Sequence, residues 1–270
     1  MKTKCSRILA PVFMIGGFGF WVSPSDSFPS AHFFQASSPL SKLITDAKAK
    51  LREGVNRRDT EACKSARDQF LGAMLETKTN QAGPAYYVAL ADYRLATFAF
   101  ISGDTAEAGR MIAEGQQYLE RVLASSPDSG ESLALYGYLL GLEIALHPDR
   151  AMALGAKSAR SFGQAEAKEP ANPRVHLLKG IYWLYVPEAF GGGPDTALPS
   201  LEKAEALFAK ENVTDPMKPD WGKDEAFLYL GLVYRAKNDP AKARAMFEKT
   251  LAVNPDFGWA RSELASLDKK

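Results

Sequence analysis

The sequence predicts an all-α fold made of helix pairs stacked in order, and three observations carry that prediction. Every long segment after Pro39 repeats its apolar residues at helical spacing, and no alternating β-branched run of strand length occurs. Small residues, Gly or Ala, return at matching points of successive segments. Short turn signals such as Gly103-Asp104 and Asn238-Asp239-Pro240 separate them.

The chain has 270 residues, 46% hydrophobic and 24% charged, enough to bury a core and unlike a disordered composition. Its formal net charge is +1. Without Lys2, Lys4 and Arg7 there remain 30 basic against 32 acidic residues. No basic stripe of the kind that neutralises phosphates is present, which argues against nucleic acid as a partner. Cys5 and Cys63 are the two cysteines. If Cys5 leaves with a leader, the mature protein has one thiol and no internal disulfide.

Residues 1–22 read as a targeting signal: Lys2, Lys4 and Arg7 precede the uncharged run Ile8 to Val22. That run is 15 residues, whereas a spanning helix needs about 20. A secretory leader fits better than a spanning helix, and an uncleaved N-terminal anchor is the other reading. Either one places the folded part outside the cytoplasm, periplasmic in a Gram-negative bacterium, and limits any membrane attachment to this segment. Residues 23–39, rich in Ser and Pro, form a linker, and the fold occupies 40–270.

The first helix pair falls at Leu40 to Asn56 and Thr60 to Lys78, with Cys63 in a small-residue slot. Pro84 to Ser102 and Thr105 to Ala124 make the second, with Ala96 and Ala108 at the small positions. Glu131 to Leu146 opens the third, with either Gly137 or Gly141 as its close-packing glycine. Ser158, Phe162, Ala165 and Pro170 mark that pair's second helix. The fourth runs over Pro173 to Glu211, where Gly180 and Ala197 are separated by an insertion from Val186 to Gly193.

Asp224 to Phe257 is the most regular unit, 34 residues long. Gly231 and Ala243 carry little side chain, so two antiparallel helices can approach there. Asp239 suits an N-cap and Pro240 the first helical position, where a missing N–H costs nothing. Phe227, Leu230, Gly231, Tyr234, Ala243, Phe247 and Pro255 occupy the offsets of the tetratricopeptide-repeat (TPR) signature, and the unit resembles one such repeat. Thr250 departs from the usual Ala. The resemblance implies a TPR-like right-handed α-solenoid of about five helix pairs. Trp259 to Leu267 then reads as an amphipathic capping helix, with Trp259 and Leu264 covering the exposed edge.

The stretch Pro187-Glu188-Ala189-Phe190-Gly191-Gly192-Gly193 leads into an Ala-rich helix. It is similar to an insertion in a subset of exported bacterial TPR proteins, including the T-components associated with TRAP-type transporters. That likeness covers about Asn172 to Phe257. It implies a periplasmic scaffold assisting a substrate-binding partner, with an apolar ligand as a further option. Glu188, Phe190 and the three glycines are therefore a candidate interaction loop.

No catalytic constellation stands out, and the sequence implies no cofactor, no metal and no enzyme. His32, His147 and His176 are the three histidines, none at metal-ligand spacing. His147 reads as a surface turn residue and His176 as an exposed or half-buried helix position. Gly191 to Gly193 lacks the Lys-Ser/Thr of a phosphate loop, so positive φ in a tight crossing is the simpler account of these glycines.

A TPR solenoid binds through the concave face lined by its first helices. By the family's convention the groove slots fall at Tyr93, Phe100, Arg174, Leu177, Ile181, Leu184, Tyr185, Glu225, Leu228, Leu232 and Arg235. Most are apolar, and the Lys/Asn set that clamps a peptide carboxylate is missing. The occupant is then a protein partner, or else an apolar small molecule or lipid. Two readings of these slots stand: an open apolar groove, or a concave face filled by its own side chains.

Overall fold

The computed structural model describes residues 38–77 and 81–268. The leader, nearly all of the linker, His32 and the ends Lys269 and Lys270 lie outside the described residues. Among the described residues eleven α-helices follow one another: α1 (Pro39–Arg57), α2 (Thr60–Glu76), α3 (Ala82–Ser102), α4 (Thr105–Ser125), α5 (Gly130–Leu146), α6 (Ala151–Lys168), α7 (Pro173–Tyr185), α8 (Pro194–Phe208), α9 (Lys223–Ala236), α10 (Pro240–Val253) and α11 (Gly258–Leu267). Two short 3-10 turns, Pro148–Arg150 and Glu188–Phe190, sit between helices. Among the described residues there is no strand. The helices form adjacent antiparallel pairs, five of them followed by α11, an all-α solenoid.

The helix starts are written locally. Ser38, Asp59, Asp104, Ser129, Asn172 and Asp239 each accept a hydrogen bond from a backbone N–H in the first turn of the helix they precede. Proline opens α1, α7, α8 and α10. The small-residue positions are the pair crossings. A Cβ on Gly180 would lie 2.6 Å from Leu201, and one on Gly54 would meet the Cys63 sulfur at 2.6 Å, so Cys63 does fill a small slot. Of the two glycines left open in α5, Gly137 faces Phe162 of its own pair and Gly141 makes room for Tyr182 of the next.

The odd-numbered helices run in the same sense and line the inside of the coil. Its two ends meet. Lys48 of α1 donates to the carbonyls of Pro216 and Lys218, at 3.0 and 2.8 Å, and lies 3.1 Å from Asp220. Asn56 and Asn254 exchange amide hydrogen bonds at 3.1 and 2.8 Å. Besides stacking on its neighbour, then, the first pair touches the last units. The inside is filled: Tyr93, Leu177, Ile181, Leu228 and Leu232 are buried.

That burial corrects the open-groove reading at most of its slots. The physical reason is visible in α3 and α5. α3 carries only Asp92 and Arg94 as charges over 21 residues, and α5 only Glu131 and Glu143 over 17. A helix apolar on every face is stable only when covered on every face.

Candidate functional site

The odd helices begin at one rim of the coil and end at the other, and the two rims differ. At the starting rim the segment between α8 and α9 folds across the interior. Trp221 donates its Nε1–H to the Tyr86 hydroxyl at 3.0 Å, and Tyr86 in turn donates to Glu131. Asn172 also donates to Glu131, at 3.0 Å. Tyr87 donates to the Met217 carbonyl at 3.0 Å. The guanidinium groups of Arg94 and Arg174 lie 5.1 and 5.9 Å from the Trp221 ring centroid.

Two slots assigned to the groove, Arg174 and Glu225, belong to this plug. Arg174 is buried and forks onto Glu211 at 2.6 and 3.1 Å. Arg94 and Glu225 form a buried two-bond pair at 2.7 and 2.5 Å. Burial pushes the Glu225 carboxyl up from its ordinary value, opposed by the Arg94 charge. These charges face each other, and beside them a hollow of about 340 Å³ remains, with Lys48, Arg52, Asp220 and Lys223 in its lining.

At the ending rim the interior ends in an aromatic mouth of closely packed rings. Tyr93 and Tyr138 meet edge to face with ring centroids 5.1 Å apart. Tyr229 stands between Tyr185, at 6.5 Å, and Trp259, at 5.8 Å, both edge to face. Tyr185 is 60% exposed and Phe100, two turns beyond Tyr93 on the same face of α3, is 41% exposed. Arg235 is exposed and pairs with Glu263, which also accepts the Trp259 Nε1–H at 2.8 Å. Burial pushes the phenols of Tyr138 and Tyr229 well above their ordinary value and that of Tyr93 up to about 12. The phenols are thus neutral at physiological pH. A mouth of neutral rings recognises by stacking, shape and hydrogen bonds.

The predicted slots therefore divide. Tyr185, Phe100 and Arg235 reach the surface, while Tyr93 lines the mouth from below and Leu177, Ile181 and Leu228 are core. Tyr138, Tyr229 and Trp221 were not singled out for the interior. Tyr138 was legible from the apolar character of α5, since a tyrosine on a helix covered all round has to face the inside.

The insertion loop is built as its glycines suggest. Gly191 and Gly193 take φ of 82° and 98°, where a side chain would be strained. All three glycine N–H groups bond to nearby carbonyls, those of Glu188, Pro187 and Trp183, at 2.9, 3.2 and 2.8 Å. None is left to cradle an anion. Thr196 closes the turn on the Gly191 carbonyl at 2.9 Å. Glu188 is exposed, and Phe190, at 79%, is presented to solvent.

His176 is buried, which corrects its placement at an exposed or half-buried position. Its Nε2 lies 2.8 Å from the Pro170 carbonyl and Nδ1 3.4 Å from Glu166. Burial lowers its pKa from the usual histidine range, as for an uncharged structural ring. His147 is exposed in its turn. Among the described residues no three His, Cys, Asp or Glu side chains gather as metal ligands, and no helix is long and apolar enough to cross a membrane.

A tetratricopeptide-repeat family model matches residues 225–256, the unit that is most regular in sequence. No curated protein matches the chain by sequence. Among solved structures, the haemophore HusA from Porphyromonas gingivalis is similar at 26% identity and a TM-score of 0.63, over 74% of this chain and 95% of that one. A thermophilic TPR protein of Thermus thermophilus, TTC0263, is similar in fold, at 18% identity and a TM-score of 0.54, over 83% of this chain and 100% of that one.

Proposed function

We propose that this chain, a member of the tetratricopeptide-repeat superfamily, is an exported, non-catalytic binding protein that takes an apolar, ring-containing molecule at its aromatic mouth. One observation carries the reading: the concave face is largely filled by the protein's own side chains, and at the ending rim Tyr185 and Phe100 are exposed and Trp259 half-buried over a floor of tyrosines. A peptide laid along the concave face would have to displace that core. A flat apolar molecule resting on the rim displaces nothing and gains ring stacking.

The likeness to a haemophore supports the choice of ligand class, because it covers nearly all of that protein. The leader-like residues 1–22 support export to a periplasmic or envelope location. Titration with ferric protoporphyrin IX, followed by its absorbance band and by tryptophan quenching, tests the reading. Saturable one-to-one binding that Tyr185→Asp abolishes, with the melting temperature unchanged, is the expected outcome. Absence of saturable binding by either signal overturns it.

A specific observation favours a protein partner as the second reading. Of the seven large apolar side chains exposed among the described residues, Phe100, Ile101, Met152, Tyr185 and Phe190 all lie at or next to turns that follow odd-numbered helices. Such an apolar edge suits a protein surface. Capture of one partner from the native host that Phe190→Ser prevents, while porphyrin titration stays blank, would favour this scaffold reading.

A further inference from the structure

Next to the mouth lies a second hollow of about 560 Å³, between the end of α3 and the starts of α2 and α4. Its floor is apolar: Leu95 and Ala99 are buried, Phe98 is half-buried, and Ile101 is 57% exposed. Its margin is charged, and the charges differ in whether they are matched. Lys64 binds Glu61 at 2.9 Å. Arg110 grips Glu107 through Nε and a terminal nitrogen at 2.9 and 2.7 Å. Asp104 accepts the Glu107 N–H at 3.0 Å as the cap of α4.

Arg58 is the exception. Among the described residues it has no carboxylate partner, and its guanidinium lies 5.7 Å from the Trp259 ring centroid. That indole is the one that meets Tyr229 at the mouth, so Arg58 stands where hollow and mouth adjoin. Its backbone sits at φ 55°, one of two non-glycine residues with positive φ. A cation held on an indole face, beside an apolar hollow and without a counter-charge, suits an incoming anion.

We propose that the ligand is amphipathic, an apolar body bearing a carboxylate, and that Arg58 receives the carboxylate at the edge of this hollow while the body rests on the mouth beside Trp259. This inference rests on the apolar-ligand reading and adds a charge requirement to it. The guanidinium fork matches a carboxylate with two parallel hydrogen bonds. A single unmatched cation, with Asp104 and Glu107 close by, fits one negative charge better than a doubly charged phosphate.

The test compares metal-free mesoporphyrin IX, which carries free carboxylates, with its uncharged dimethyl ester. Tryptophan quenching at pH 7.5 and low salt reads both affinities. The wild type should hold the acid on the order of ten times more tightly than the ester, about 1.4 kcal/mol. Arg58→Gln should bring the acid down to the affinity of the ester and leave the ester unchanged. Arg58→Gly, which tolerates the positive φ, should behave the same and separates loss of charge from loss of fold. An acid-to-ester ratio near one in the wild type, or one unaltered in both variants, overturns the inference and leaves the mouth reading standing. Failure of both probes to bind the wild type overturns the mouth reading and the inference together.

Discussion

The two rims of the coil are made from the same helices, yet one is crowded with paired charges and the other with aromatic rings. At the starting rim, Arg94 pairs with Glu225 and Arg174 with Glu211, and Trp221 donates to Tyr86, which donates to Glu131. At the ending rim, Tyr185 and Phe100 reach solvent over Tyr93, Tyr138 and Tyr229. Buried charges need partners held in one geometry, so they rigidify the end where they sit. Aromatic rings tolerate exposure and can trade a neighbouring ring for a ligand. The difference shows how one set of helices can present paired charges at one end and rings at the other around a filled interior.

The largest expected effect tests the paired charges. Glu225→Ala leaves the Arg94 guanidinium buried and unpaired, and should cost about 3–5 kcal/mol in urea unfolding. Replacing the pair together, Arg94→Met with Glu225→Leu, should recover most of that loss. A single-variant loss below about 1 kcal/mol would mean that the rim opens readily to water. Leu177→Ala comes next, at about 2–5 kcal/mol, because it cuts a cavity in filled interior. In an open groove the same substitution would cost a fraction of this.

Asp92, on α3 and remote from both rims, gives a pH-dependent comparison. It is fully buried and pairs with Arg67, which also holds Glu114 at 2.5 Å, with Arg110 close to Glu114. Burial pushes the Asp92 carboxyl up to about 7 and outweighs the Arg67 charge, even though Arg67 is itself held above its ordinary value. The sign follows from a folded value above the unfolded one. Its contribution is full below about pH 4 and is lost as the pH rises through about 7. Asp92→Asn should flatten that part of the stability profile, a change on the order of 4 kcal/mol. A profile identical to wild type would show that Asp92 is ionised throughout. The smallest effect belongs to the aromatic rim: Tyr185→Ala should shift stability by no more than about 0.5 kcal/mol, read as an unmoved urea midpoint.

Local chemistry made most of the fold legible in the sequence. Asp239-Pro240 starts α10, Gly231 and Gly180 allow the pair crossings, and the Gly191 to Gly193 turn takes its own strained angles. Each of these depends on residues a few positions apart or on one helix face against its neighbour, so spacing alone exposes it. The candidate site was less legible. Tyr185 and Phe100 fall at slots that fit either an open groove or a filled face, and they are exposed, whereas Leu177, Ile181 and Leu228 occupy equivalent slots and are buried. Slot position says which side of a helix a residue faces, not whether that side is covered.

What the sequence determined by itself is the order of helices, their caps and the pairs they form, because those interactions are short in range. Only the tertiary structure decided that α1 would meet the segment before α9, that Trp221 would reach Tyr86 at one rim, and that Tyr185 would stay exposed at the other. Lys48 and Asp220, or Tyr86 and Trp221, are separated by half the chain or more. Their meeting depends on how the small rotations between successive pairs add up, and no local run of residues encodes that sum.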